Sequence, residues 1–116
     1  MRLLVIDDEP LVRDVIAEAL RLEGHDVVVA GSGEEGLRVI AQNPPDAVFL
    51  DIVMPGMDGI QVLRAIRASH PRLAVIILSG WMSEGQLEEA RRLGVTEVIS
   101  KPVPLQNLTR ALRQAG

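Results

Sequence analysis

"AVFLDIVMPGMDG", residues 47–59, decides how this chain is read. An apolar run ends on an acid, Asp51, a Pro-Gly turn follows at Pro55-Gly56, and Asp58-Gly59 lead into the next segment. A continuous apolar run of this length suits a strand covered on both faces rather than one that alternates toward water. Asp58 suits the N-cap of a helix carrying Ile60, Leu63 and Ile66. A buried strand ending on a carboxylate leaves three readings open for Asp51: a cap, a metal ligand or a nucleophile.

Working outward, four more runs resemble this one: "LLVI" (3–6), "DVVVA" (26–30), "AVIIL" (74–78) and "TEVIS" (96–100). The last is more polar and fits a sheet edge. Helical patterns lie between them. Residues 10–23 set Leu11, Val12, Val15, Ile16, Ala19 and Leu20 on one stripe, with Pro10 suited to the first turn and Gly24 to the stop. "SGEE" (32–35) reads as a capping box of Ser32 with Glu35, and "SEGQ" (83–86) as one of Ser83 with Gln86. Gly94 ends the fourth helix. Pro104 opens the fifth, with Leu105, Leu108 and Leu112 inward. Strict strand–helix alternation with short connections predicts an α/β fold: a flavodoxin-like, doubly wound (βα)5 sandwich. Its five-stranded parallel sheet would have the order 2-1-3-4-5.

In such a sheet all strands point one way, and ligands bind where their C-terminal ends meet. The first strand runs into Asp7 and Asp8, the third into Asp51, the fourth into Ser79 and the fifth into Lys101. The second, at an edge in this order, runs into Gly31-Ser32-Gly33, which carries little chemistry. Taken singly, each polar residue has a bland reading: acids favoured by a helix dipole, a turn residue, a structural serine, a solvated lysine. Together they converge on one pocket. Clustered carboxylates raise one another's pKa and remain ionised beside a cation. Hard oxygen ligands in a small wet site suit Mg2+. A carboxylate there can attack phosphorus, while a lysine and a hydroxyl neutralise phosphoryl oxygens. Lys101 is the chain's sole lysine, the other basic side chains being arginine apart from two histidines. A compact ammonium at this place is not interchangeable with a planar fork.

Composition sets the outer bounds. The 116 residues suit one domain with its own core. Hydrophobic residues at 47% and charged ones at 24% are ordinary globular values. No apolar run approaches the roughly 20 residues of a membrane span, and "MRLLVIDDEP" is not a signal peptide. Without cysteine, disulfides and thiolate metal sites are excluded. A net charge of −4 without a basic block argues against direct nucleic-acid binding. His25 and His70 fall in turn-like stretches and read as surface residues. Met54 and Met57 read as packing or loop residues.

The motifs "VIDDEP" (5–10), "FLDIVMPGMDG" (49–59), "ILSG" (77–80) and "SKP" (100–102), in this order and spacing, resemble the receiver domains of two-component response regulators. The resemblance covers essentially all of residues 1–116 as a single receiver domain, with no output domain in the chain. It implies that Asp51 is the phosphoacceptor. Asp8 would ligate Mg2+ directly, Asp7 mostly through water, and Val53 through its backbone carbonyl. Ser79 would be the switch hydroxyl and Lys101 the phosphoryl-oxygen partner, with a cis bond between Lys101 and Pro102. The phosphodonor would be a histidine kinase or a histidine phosphotransfer protein, reached in part through Leu11 and Asp14, and the compartment cytoplasmic. The output partner is unspecified; a phosphorylation-dependent dimer, a hybrid kinase and a DNA-binding regulator all fit the resemblance.

Two departures stand out. Val98 occupies the place where the family usually has Tyr or Phe, so signalling is expected without an aromatic rotamer flip. Val53 and Trp81, two residues after Asp51 and Ser79, offer no hydrogen-bond acceptor to orient an attacking water, which predicts a long-lived aspartyl phosphate. Other classes fit less well. An aspartyl phosphohydrolase needs a general acid two residues after its nucleophile, where this chain has Val53. A flavin domain needs a hydroxyl- and glycine-rich phosphate loop after the first strand, where "DDEP" is acidic. A docking module that is never phosphorylated would not need every acceptor-site residue, and all are present.

Overall fold

The three central apolar strands of this chain are buried on both sides because helices cover both faces of their sheet. A computed structural model describes residues 1–52, 58–101 and 105–115. Its elements alternate: β1 (Arg2–Ile6), α1 (Pro10–Leu22), β2 (Asp26–Ala30), α2 (Gly33–Gln42), β3 (Ala47–Asp51), α3 (Gly59–Ser69), β4 (Ala74–Ser79), α4 (Glu84–Arg92), β5 (Glu97–Ser100) and α5 (Leu105–Ala115). The strands form one sheet in the order β2-β1-β3-β4-β5, and every pairing is parallel. The expected fold and strand order are both present.

Side chains alternate across the sheet, so each strand feeds two cores. Leu4, Ile6, Val48, Leu50, Val75 and Ile77 meet Ile40 of α2, Leu63 and Ile66 of α3 and Ala90 of α4. Leu3, Val5, Phe49, Ile76 and Leu78 meet Ile16 and Leu20 of α1 and Leu108, Ala111 and Leu112 of α5. Burying a side chain of this size contributes about 1.5–3 kcal/mol, and all five residues of β3 are buried. The central strand therefore cannot slip without placing apolar groups in water, which fixes the height of Asp51 at its end.

Three expectations need correction. In α1 the buried residues are Ile16, Ala17 and Leu20, with Val12 partly buried. Leu11 and Val15 are 82% and 59% exposed. The helix turns its 12–16–20 line to the sheet, and residues 11 and 15 sit about 100° away at 3.6 residues per turn. In β2, Asp26 and Val28 are exposed while Ala30 is buried, because an edge strand loses cover on its outer side. Ser32 accepts from the Glu35 N–H at 3.2 Å, but the Glu35 carboxylate turns to the Gly31 N–H, so this box is half formed. The Ser83–Gln86 box closes in both directions. Asp58 caps α3 as expected, and Gln61 returns the bond to the Asp58 N–H. Gly24 and Gly94 stop α1 and α4 at positive φ. Pro104 and the side chain of Leu105 lie outside the described residues.

Candidate functional site

Parallel pairing carries the polar strand ends to one edge. Ile6 of β1 pairs with Leu50 of β3, which sets Asp7 beside Asp51. Asp51 pairs with Leu78, and Ser79 with Ser100. Asp51 and Ser79 are the last residues of their strands rather than the first residues beyond them. Lys101 follows β5, tied in by its N–H, which donates to the Ser79 carbonyl at 2.7 Å.

Asp7, Asp51 and Ser79 are buried polar residues, 0%, 2% and 5% exposed, and Asp8 is half-buried. Carboxylate oxygens of Asp7, Asp8 and Asp51 all lie within 4.8 Å of one another. Lys101 Nζ spans two of these acids, 3.0 Å from Asp7 Oδ2 and 3.5 Å from Asp51 Oδ2. Burial opposes the ammonium. The hydrogen bond to Asp7 and the charges of Asp51 and Asp7 outweigh it together, and the Lys101 pKa rises above the usual lysine value. The ammonium therefore stays protonated across the physiological range.

One lysine does not balance three acids. At this spacing each pair of carboxylates repels by about 3 kcal/mol at an effective dielectric near 20. The donor set consists of hard oxygens, anionic and clustered, with one member partly open to water. Such a set would fit Mg2+: Asp7, Asp8 and Asp51 would offer the carboxylates, and an ion of this kind retains waters at its remaining positions.

The chain is locally built to hold these groups still. The Asp7 N–H donates to the Ala30 carbonyl at 3.1 Å, and the Glu9 N–H donates to Asp7 Oδ1 at 3.0 Å. Below Asp51, the Ile52 N–H reaches the Leu78 carbonyl and the Gly59 N–H reaches the Ile52 carbonyl at 2.8 Å. Gly59 was visible within the quoted motif, but its reason was not. A Cβ there would lie 2.4 Å from Ile52 Cα and 2.6 Å from the Asp51 carbonyl oxygen. Only glycine lets α3 start this close to the acid-bearing strand end.

Val98 pairs with Ile77 in the sheet and packs, partly buried, on the α2–α3–α4 side. Trp81 is 71% exposed in the β4–α4 connection. His25 and His70 are half-buried: His25 lies 3.2 Å from the chain's amino group and His70 2.9 Å from Ser69 Oγ. Val53, Met54, Met57 and Pro102 lie outside the described residues.

Known proteins carry the same arrangement of elements. The family model for the response regulator receiver domain matches residues 3–113. Response regulator MprA of Mycobacterium sp. (strain KMS) is 34% identical over 113 residues, covering 97% of this chain and 49% of that protein. MprA of Mycobacterium leprae (strain TN) is 32% identical over 97% of this chain and 50% of its own length. The chain thus spans about half the length of the curated relatives it matches. Among solved structures, a CheY-like receiver domain protein from Methanospirillum hungatei JF-1 has a TM-score of 0.94 at 26% identity, over 97% of this chain and 90% of that one. A receiver domain protein from Clostridium thermocellum has a TM-score of 0.87 at 37% identity, covering 98% and 92%. NtrX from Brucella abortus, solved in complex with ATP, matches over 98% of this chain but 26% of its own, with a TM-score of 0.89 and 34% identity.

Proposed function

The chain belongs to the response regulator receiver domain family, and from that premise we propose that Asp51 is the phosphoacceptor of a phosphorylation-dependent switch. The observation that carries this reading is Lys101 Nζ spanning Asp7 and Asp51 at an edge that also holds Asp8 and Ser79. An Asp51 carboxylate oxygen attacks phosphorus in line. Its new O–P bond forms as the P–N bond to a donor phosphohistidine breaks, and the imidazole leaves and takes a proton from solvent. Asp7, Asp8 and Asp51 would hold Mg2+, with the Val53 carbonyl as the further ligand that the family resemblance implies, and the ion would supply positive charge to the phosphoryl oxygens. Lys101 follows the charge as it moves outward from Asp51 onto those oxygens. The Ser79 hydroxyl donates to another of them.

Ser79 is also the route outward. Its carbonyl accepts from the N–H of Lys101, just after β5, and its neighbours Gly80, Trp81 and Met82 lead into α4. A shift of Ser79 toward the phosphoryl group displaces this connection. With Val98 in β5, the shift is read through aliphatic packing rather than through a swinging ring.

The donor is a histidine kinase or phosphotransfer protein, and the exposed Leu11, Val15 and Leu22 of α1, beside Asp14, are its proposed seat. The output is a further domain or a separate protein, as the greater length of the relatives suggests. No helix among the described residues is long and apolar enough to cross a membrane. The cytoplasm is proposed from the chemistry of the family rather than from that absence. Self-phosphorylation from small donors and slow self-dephosphorylation are the only reactions assigned to the domain.

Intact mass after incubation with a small-molecule phosphodonor and Mg2+ tests the acceptor. The wild type is expected to gain one phosphoryl group and Asp51→Asn none. A gain that persists in Asp51→Asn, or a wild type that gains nothing, would overturn the assignment.

A further inference from the structure

The β1–α1 loop carries three consecutive acids, Asp7, Asp8 and Glu9, and has a tie besides those already described. Arg13, in the first turns of α1, folds its guanidinium back so that Nη1 donates to the Asp7 carbonyl oxygen at 3.4 Å. The Arg13 side chain is only 20% exposed. Among the described residues its buried Nε has no hydrogen-bond partner, the Asp14 carboxylate oxygen standing 3.8 Å away as an ion-pair partner. A buried cationic N–H left unmatched costs stability.

Gly31 makes room for it. A Cβ on Gly31 would lie 2.8 Å from Arg13 Nη1, and the easiest relief would be to push the guanidinium off the Asp7 carbonyl. The end of β2, the one strand end without chemistry of its own, is thus shaped to admit an arginine behind the acidic loop.

We propose that Arg13 is a positioning residue for divalent-cation binding: it holds the Asp7 carbonyl so that the Asp7 and Asp8 carboxylates keep one arrangement, and Gly31 is the space this requires. The proposal rests on reading the acidic cluster as a cation site. Its sign is unusual and decides it. If Arg13 acted only through its charge, removing it would leave the loop more negative and tighten Mg2+ binding. If it acts by positioning, removing it weakens Mg2+ binding although the site becomes more negative.

The experiment is a Mg2+ titration at fixed ionic strength, read by Trp81 fluorescence and by the Mg2+-dependent rise in Tm. It compares wild type, Arg13→Ala, Arg13→Lys and Gly31→Ala. Losing a group that orients metal ligands costs about 10- to 100-fold in affinity, and a single long hydrogen bond places Arg13→Ala at the low end, about tenfold weaker. Gly31→Ala, with the arginine intact, is expected to weaken binding in the same direction, and Arg13→Lys to restore part of the loss. Unchanged or tighter binding in Arg13→Ala would overturn the proposal. Should that variant fail to fold, unchanged affinity in Gly31→Ala would overturn it as well. A wild type that binds no Mg2+ would instead remove the cation-site reading on which this one stands.

Discussion

At the C-terminal edge of the sheet Lys101 reaches two acids, Asp7 and Asp51. At the opposite edge Arg67 reaches four carbonyls, those of His70, Leu73, Leu93 and Gly94. Two of the four belong to the C-terminal ends of helices, His70 closing α3 and Leu93 closing α4, where unpaired carbonyls carry partial negative charge. A planar fork with five donors suits such a spread of acceptors, and a compact ammonium suits a site in which the acceptor changes. Arg64, one turn earlier, pairs in a fork with Glu89 and adds a second tie between α3 and α4. The lower edge is thus electrostatically closed. At the upper edge three carboxylates face the Lys101 ammonium, and even with the Arg13 guanidinium behind the loop these acids outnumber the cations among the described groups, which leaves a place for a further cation. The comparison separates polar groups that finish the fold from polar groups that prepare for a ligand.

The comparison breaks most visibly at Lys101. Removing one partner of a buried ion pair costs about 3–5 kcal/mol, and the partly open site puts Lys101→Met near the lower figure, measured by urea unfolding without Mg2+. Added Mg2+ is expected to return part of the stability. A loss that Mg2+ leaves unchanged would mean that Lys101 serves packing alone.

Arg67→Ala is the counterpart at the other edge. Each hydrogen bond nets about 0.5–1.5 kcal/mol, and water replaces some of the four bonds, so a loss of about 2 kcal/mol is expected. Phosphoryl acceptance and Mg2+ affinity should stay at wild-type levels. If Mg2+ affinity fell along with stability, the two edges would be coupled and the separation drawn here would fail.

The smallest effect is expected from Val53→Asn. Its effect belongs to lifetime: an amide two residues beyond the acceptor can orient the attacking water, and loss of the phosphoryl group should speed up. A slower Asn variant would contradict this use of Val53.

Reading the sequence reached some of these residues and not others, for physical reasons. Asp7, Asp8, Asp51, Ser79 and Lys101 were legible because each ends an apolar run, and parallel strands necessarily share an edge. Leu11 and Val15 were misplaced because a broad apolar stripe does not say which of its lines faces the sheet. That depends on how α1 lies against β1 and α5. The Ser32–Glu35 box was half right because the Gly31 N–H, a competitor for the carboxylate, is identified only by the turn. Arg67 has no sequence signal among eleven arginines, since its four acceptors come together only when two helix ends dock.

The alternation of apolar runs with amphipathic segments determined by itself that this chain is a parallel α/β sandwich, and its chemistry-bearing strand ends determined where the site lies. Local pattern suffices there, because burial on two faces admits no other placement of those runs. Only the tertiary structure decided that Lys101 divides itself between two acids, that Gly59 admits α3 against the Asp51–Ile52 backbone, and that Gly31 opens space for Arg13 behind the acidic loop. Those facts depend on distances between elements far apart in sequence, and no property of one residue or its neighbours along the chain encodes them.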